Sequence, residues 1–339
     1  MPTHPRGIAL LNWRSLVDEA IRRRKAEKLT QREHAALASV SVPTIVAFDR
    51  GEHTLTLAKA FDILRVVGLM DQPTGEGAQE KFVQEAIERW RELTAPLPEN
   101  SAGRFPNGWY RFDYALEGDF QTVELYRFKD LLEQAVVQHT GWPLWLFLTK
   151  HDLSPYELDG LIECWLKPLE AQANRPLGDA AHCDFWRAAP TGRTFIMRGY
   201  QEDSQDTFAP RTIFDTTLPI WRMGEALLHA EKLASLLAPE AKSIKVRLRA
   251  HYTGLSGRVL RSWGNPAANL MFEGGAARSD EALLEATAPV STVSKNLPAI
   301  VTPMASSLFE RFGVAGLTQE SVATELERMA KNTYGSVRS

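Results

Sequence analysis

LTQREHAALASVSVPTIVAFDRGE, residues 29–52, reads as two short helices and a turn. Thr30 stands at a helix start with Glu33 three residues on, the capping-box spacing. Ser41 caps a second helix, and Pro43 falls in its first turn, where a missing N–H costs nothing. Arg50-Gly51 stops that helix. Leu37, Ala38, Val40, Ile45 and Phe48 are spaced to bury between the two. The spacing predicts helices over 30–38 and 41–49, joined by a tight turn.

The flanks continue the pattern. Residues 12–27, NWRSLVDEAIRRRKAE, carry an apolar stripe of Leu16, Ala20 and Ile21, with the Arg22–Lys25 run turned to water or phosphate. Residues 55–67 form a further amphipathic helix through Leu57, Ala60, Phe61, Leu64 and Val67. The expected head, residues 1–70, is therefore all helix. DQPTGEGAQ, 71–79, is turn chemistry, and TAPLPENSAGRFPNG, 94–108, is a second loop. The helix 80–93 lies between them, in an expected linker over 71–108.

After residue 108 the texture changes. Helical stretches at 124–139, 218–237, 297–312 and 318–331 alternate with strand-like PLWLFLT (143–149), RTFIMRGY (193–200) and SIKVRLRAHY (243–252). This interleaving predicts a mixed α/β (α+β) domain over 109–335. Tryptophans 142, 145, 165, 186, 221 and 263 build either a wide apolar core or a pocket.

Charge divides along the same line. Net charge is −3, but residues 1–70 hold 11 Lys/Arg against 7 Asp/Glu, a balance of +4 that leaves −7 for the rest. A basic head on an acidic body suits a nucleic-acid-binding head. No apolar run approaches bilayer length, and no signal-peptide layout is read at the N-terminus. Two cysteines, Cys164 and Cys183, make no disulfide framework and fit a reducing cytoplasm. The expected location is cytoplasmic, without a membrane partner.

Catalytic signatures are lacking: there is no HExxH, GxxxxGK[ST], GxSxG or GxGxxG. His182-Cys183-Asp184 places three potential ligands side by side, where an extended chain points them apart. Glu225 and His229, four apart on a helix, read as a solvated ion pair before a metal pair. No catalytic residue, metal or cofactor is expected, and the chain is not read as an enzyme.

Residues 29–52, with LAKAFDILRVVGL at 57–69, resemble the lambda-repressor-like, or XRE-type, helix-turn-helix over about residues 14–69. The resemblance implies that Thr30 and Gln31 open a supporting helix, with Gln31 on a phosphate and bracing the recognition helix. It implies that Ser41 touches the backbone and that Val42, Pro43, Thr44 and Ala47 face bases. Arg24 would lie near Asp49 and a phosphate, and Arg50 is counted with the DNA-binding residues. Two departures stand out. Ser39 occupies a turn position where the family often has glycine, and His34 stands where an apolar residue is usual. The recognition positions lack the Arg, Gln or Asn that read guanine or adenine in bidentate fashion. DNA shape and dimerisation would supply the remaining specificity.

HTGWPLWLFLT, DGLIECWL, HCDFWRAAPTGRTFIMRGYQED and FDTTLPIWRMGEALLHAEKLA are similar to the C-terminal regions of bacterial proteins with an AlbA-type, Schlafen-like head. That resemblance implies a module that senses or assembles rather than catalyses. In SIKVRLRAHYTGLSGR, 243–258, Lys245, Arg247, Arg249 and His251 alternate with apolar residues. The basic face is either a solvated outer face or an anion site for a ligand or DNA, closed by Arg258.

The expectation is a sequence-specific transcriptional regulator that binds double-stranded operator DNA as a homodimer. Its C-terminal domain would dimerise, sense a small-molecule or nucleic-acid effector, or both. The alternative is an antitoxin-like or defence-associated regulator whose C-terminal domain captures a protein partner.

Overall fold

The computed structural model describes residues 12–38, 40–69, 75–120, 122–168, 179–204, 207–239, 243–262 and 274–331. The chain divides into two compact units, Met1–Ala78 and Gln79–Ser339.

The first unit is helical throughout its described elements: α1 (Trp13–Ala26), α2 (Gln31–Leu37), α3 (Val42–Asp49) and α4 (Leu57–Val66). Each begins on a side-chain cap. Asn12 accepts the Ser15 amide, Thr30 and Glu33 form the reciprocal capping box, and Ser41 and Thr56 accept the amides three residues on. The core is Val17, Ala20, Ala35, Ala38, Ile45, Phe48, Ile63 and Leu64. Trp13 meets the Phe48 ring edge-on at 5.5 Å and donates to the Gly51 carbonyl at 3.1 Å.

Three head expectations need revision. Leu37 is 62% exposed, because His34, Ala35 and Ala38 set the buried face of α2 and Leu37 lies about a quarter-turn from its centre. Leu57, the first residue of α4, is likewise exposed. Buried His34 is accommodated as a polar core residue: its Nε2 donates to the Ile63 carbonyl at 2.9 Å. Ser39, at the turn position singled out above, lies outside the described residues.

The second unit is built on a seven-stranded antiparallel sheet, order β2-β3-β4-β5-β1-β7-β9. Its strands are β1 (Trp109–Glu117), β2 (Tyr156–Leu158), β3 (Leu161–Trp165), β4 (Phe185–Ala189), β5 (Arg193–Gly199), β7 (Lys245–Tyr252) and β9 (Ala282–Pro289). A parallel pair, β6 (Ile213–Asp215) and β8 (Val259–Arg261), stands apart. Period-2 alternation gives the sheet two different faces. Phe112, Tyr114, Ile196, Trp186, Leu248 and their neighbours bury against α6 (Leu125–Ala135), α7 (Leu218–Leu237), α8 (Val293–Glu310) and α9 (Gln319–Lys331). On the opposite face, Phe185, Phe195 and Met197 pack with Phe82, Val83 and Ala86 of α5 (Gly75–Thr94). The helix expected in a linker thus packs, from Gln79 onward, as a layer of the second unit.

PLWLFLT, 143–149, is not a strand. Trp145 takes a left-handed φ of 50°, which breaks extension, and the run buries as an irregular segment with Leu144 and Trp145 in the core. Among the described residues no helix is long and apolar enough to cross a membrane.

Candidate functional site

The head's polar residues converge on one carboxylate. Arg24, buried on α1, forms a two-pronged pair with Asp49 at the end of α3, at 2.9 and 2.6 Å. Gln31, at the start of α2, donates its Nε2 to the same carboxylate at 2.6 Å. One acidic residue therefore ties three helices together, and the amide orientation of Gln31 follows from that bond. Arg24 is consumed by Asp49 and is not presented to an outside phosphate, as its exposure of 6% makes plain.

At the other end of α3, Ser41, Val42 and Pro43 are exposed, and Thr44 and Ala47 are half-buried. The Thr44 hydroxyl is 2.8 Å from that of Ser41, which also accepts the Thr44 amide. Thr44 thus belongs first to the cap and has less freedom to read a base. Arg50 is exposed, 3.8 Å from Glu52, and its carbonyl accepts from Arg14. Thr30 is exposed but engaged in its capping box.

The basic face of β7 exists as expected, with Val246, Leu248, Ala250 and Tyr252 turned to the core. All but Lys245 of its basic residues already face a carboxylate. Arg247 lies 3.0 Å from Glu117, and Arg249 reaches Asp113 at 2.8 Å and Glu80 at 2.7 Å. His251 faces Glu281 at 3.0 Å, and Lys245 is exposed at the strand end. Arg258 does not close an anion site. It is buried, with Asp203 at 2.8 and 2.6 Å and the carbonyls of Gly254, Ile213 and Asn107 as further acceptors. The sequence displays the cations of the strand, but their carboxylates come from β1, α5 and β9, far away in the chain.

The remaining candidate ligands disperse. Asp184 pairs with Arg198 at 2.6 Å, His182 turns to Asp179 at 2.8 Å, and Cys183 buries under α5. Burial pushes the thiols of Cys164 and Cys183 up, with the Asp184 charge adding to it, so neither is an activated nucleophile. Glu225 and His229 are both buried and do not pair as a solvated couple. Glu225 accepts from Arg222 and from the amide and hydroxyl of Thr140, whereas His229 stacks on Trp145 at 4.4 Å with Tyr114 Oη 2.8 Å from its Nδ1. Desolvation lowers the His229 pKa to about 3, so its ring stays neutral. Among the described residues no three His, Cys, Asp or Glu are grouped to hold a metal ion.

The aromatic phrases do converge, but on tyrosines. A small pocket, with room for about one water molecule, is lined by Tyr110, Tyr200, Glu202, Phe214, Arg222 and Tyr252, with Gln201, Leu218 and Pro219. Trp145 and Trp186 belong to the core instead, and Trp263 lies outside the described residues. The available signal was GYQED and LPIWR, two quoted phrases whose polar ends both reach this pocket.

No family model, curated protein or solved structure matches the chain.

Proposed function

We propose that the chain is a cytoplasmic, DNA-binding transcriptional regulator. In this reading residues 13–66 act as a lambda-repressor-like helix-turn-helix and the second unit dimerises or senses a signal. The carrying observation is the Arg24–Asp49–Gln31 brace. It fixes α3 against α1 and α2 from the end opposite the capped, exposed stretch Ser41–Pro43. A helix held rigidly at one end and presented at the other has what a major-groove reader needs. Exposed Lys25, Lys28, Arg32 and Arg50 supply charge for phosphates. Base contacts would be apolar, from Val42, Pro43 and Ala47 on thymine methyls, so one module reads little and a homodimer supplies the rest.

The test is binding of the purified chain to its own upstream DNA across a salt series, beside Arg32→Ala/Arg50→Ala, which should make the slope shallower by about 1.8 per protomer. Four phosphate contacts per protomer would give a log–log salt slope of about −3.6 per protomer. Binding no stronger than to random DNA, by a well-folded chain, refutes the reading.

One observation favours a second reading, a protein-binding head. Leu37, Val42 and Leu57 are large apolar side chains left exposed in this unit. Co-purification of a second polypeptide that Val42→Asp abolishes would support it.

A further inference from the structure

The seven-stranded sheet ends differently on its two sides. On one side β2 has three residues, a length that offers little to pair with. On the other side β9 runs eight residues in unbroken register with β7, and among the described residues no strand pairs with its outer edge. The devices that keep an edge from pairing are mostly missing from β9: it has no lysine and no bulge, and Glu285 is its one charged residue. Pro289 blunts the last position alone, lacking an N–H and giving its carbonyl to Thr292 Oγ1 at 2.9 Å.

The ladder shows which backbone groups point outward. The Val290 amide donates to the Ile244 carbonyl at 2.9 Å, so the even-numbered residues of β9 spend their N–H and C=O groups on β7. Leu283, Glu285 and Thr287 then turn theirs away from the sheet, and no described residue bonds to them there. The side chains of the same three residues are exposed.

This edge is complementary to itself. In a symmetric antiparallel pair the pleats match only when the two-fold axis passes through a residue, because outer-face side chains must oppose outer-face side chains. An axis through Glu285 would set two carboxylates directly opposite each other. An axis through Ala286 sets Glu285 opposite Thr287 of the second copy and Leu284 opposite Ala288. We propose that β9 pairs antiparallel with β9 of a second copy of this chain about a two-fold axis through Ala286, joining the two sheets into one.

The register satisfies backbone and charge together. On each side of the axis Glu285 of one copy and Thr287 of the other exchange both backbone hydrogen bonds, since both point outward. Ala286 falls in a non-hydrogen-bonded pair, where the Cα atoms approach to about 4.5 Å and a methyl side chain fits. Within one chain Glu285 stands opposite Arg249 and Thr287 opposite Arg247. In the dimer each Glu285 therefore has Arg249 on one side and, beyond Thr287 of the second copy, Arg247 of that copy on the other. A strand from an unrelated protein would have no such match built in. The inference deepens the regulator reading by naming its dimer contact, and it is tested without DNA.

Sedimentation velocity of the full chain should show a monomer–dimer equilibrium with a midpoint on the order of 10 µM. Thr287→Pro removes an outward N–H and leaves the bonds to β7, so the thermal unfolding of the monomer should be kept while the dimer Kd rises at least about tenfold. Crosslinking reads the register itself. Two Ala286→Cys residues would face each other within the range of about 4.4–6.8 Å that a disulfide spans, and mild oxidation should give a covalent dimer. Two Glu285→Cys residues would lie about 8–9 Å apart and should not crosslink. Cys164 and Cys183 are buried and add no background. A chain that is monomeric up to about 100 µM, a folded Thr287→Pro that dimerises as tightly as the parent, or Glu285→Cys crosslinking as readily as Ala286→Cys overturns the proposal. Should Thr287→Pro not fold, the two cysteine variants decide. Operator binding by a chain that fails these tests would overturn this edge contact alone, and a dimer that passes them without binding operator would overturn the regulator reading alone.

Discussion

Replacing Asp49 by Ala removes the one carboxylate on which Arg24 and Gln31 both depend. Breaking a buried ion pair from one side costs about 3–5 kcal/mol, because the partner charge stays buried. Asp49 keeps a side-chain exposure of 13%, so water can reach the site, and the lower end, about 3 kcal/mol, applies. At about 0.05–0.15 kcal/mol per residue, the first unit has roughly 4–12 kcal/mol to lose. The substitution takes a large share of it. With a urea dependence of about 1 kcal/mol per molar, the midpoint of the first unit should fall by about 3 M. Trp13 is the one tryptophan among residues 1–78, and its ring rests on Phe48, so fluorotryptophan NMR reads this unit separately. Arg24→Met/Asp49→Leu should recover most of the loss, because no charge is then left alone. A midpoint shift below about 0.5 M for Asp49→Ala, or a double variant no better than the single, would refute the brace.

Three further outcomes are expected. Thr30→Ala dismantles the capping box and should cost the first unit about 1 kcal/mol by the same NMR signal, without touching the second. Burial lowers the His34 pKa below its usual value, so its share of stability is complete above about pH 6.5 and is lost as pH falls through the folded value; unfolding midpoints of the first unit should drop over that window and stay flat in His34→Gln. Gly108, at φ +101°, would bring a Cβ to 2.6 Å from the Thr253 carbonyl, so Gly108→Ala should destabilise the second unit by about 2–4 kcal/mol in thermal unfolding.

Local chemistry was legible in the sequence. Thr30 with Glu33, Ser41 and Pro43 set the helix starts of the head within a residue or two, and SIKVRLRAHY declared β7 by alternation. What the sequence hid is long-range. Neither WYRFDYALE nor ALLEATAP announces itself as a strand: the first buries seven consecutive residues between two neighbours, and the second is an edge. PLWLFLT misled for the converse reason, since an apolar run also suits an irregular core segment. The basic face of β7 was legible, but Asp113, Glu117, Glu80 and Glu285, which neutralise it, could be placed only by the sheet.

One strand settles both the site that fails and the pocket that forms. β7 pairs with β1 so that Arg249 stands opposite Asp113 and Tyr252 opposite Tyr110. The first match draws a cation of the outer face into ion pairs. The second sets two ring walls of the pocket side by side on the inner face. A slip of one residue would turn Tyr252 outward and drive Arg247 and Arg249 into the core, so hydrophobic burial alone specifies the register strongly. The close crossing of Gly108 and Gly254 just past the strand end, with Thr253 donating to the Trp109 carbonyl at 2.9 Å, pins it further. The alternation that made β7 look like an anion binder in sequence is therefore the feature that, in the folded sheet, neutralises its arginines and carries Tyr252 to the pocket wall.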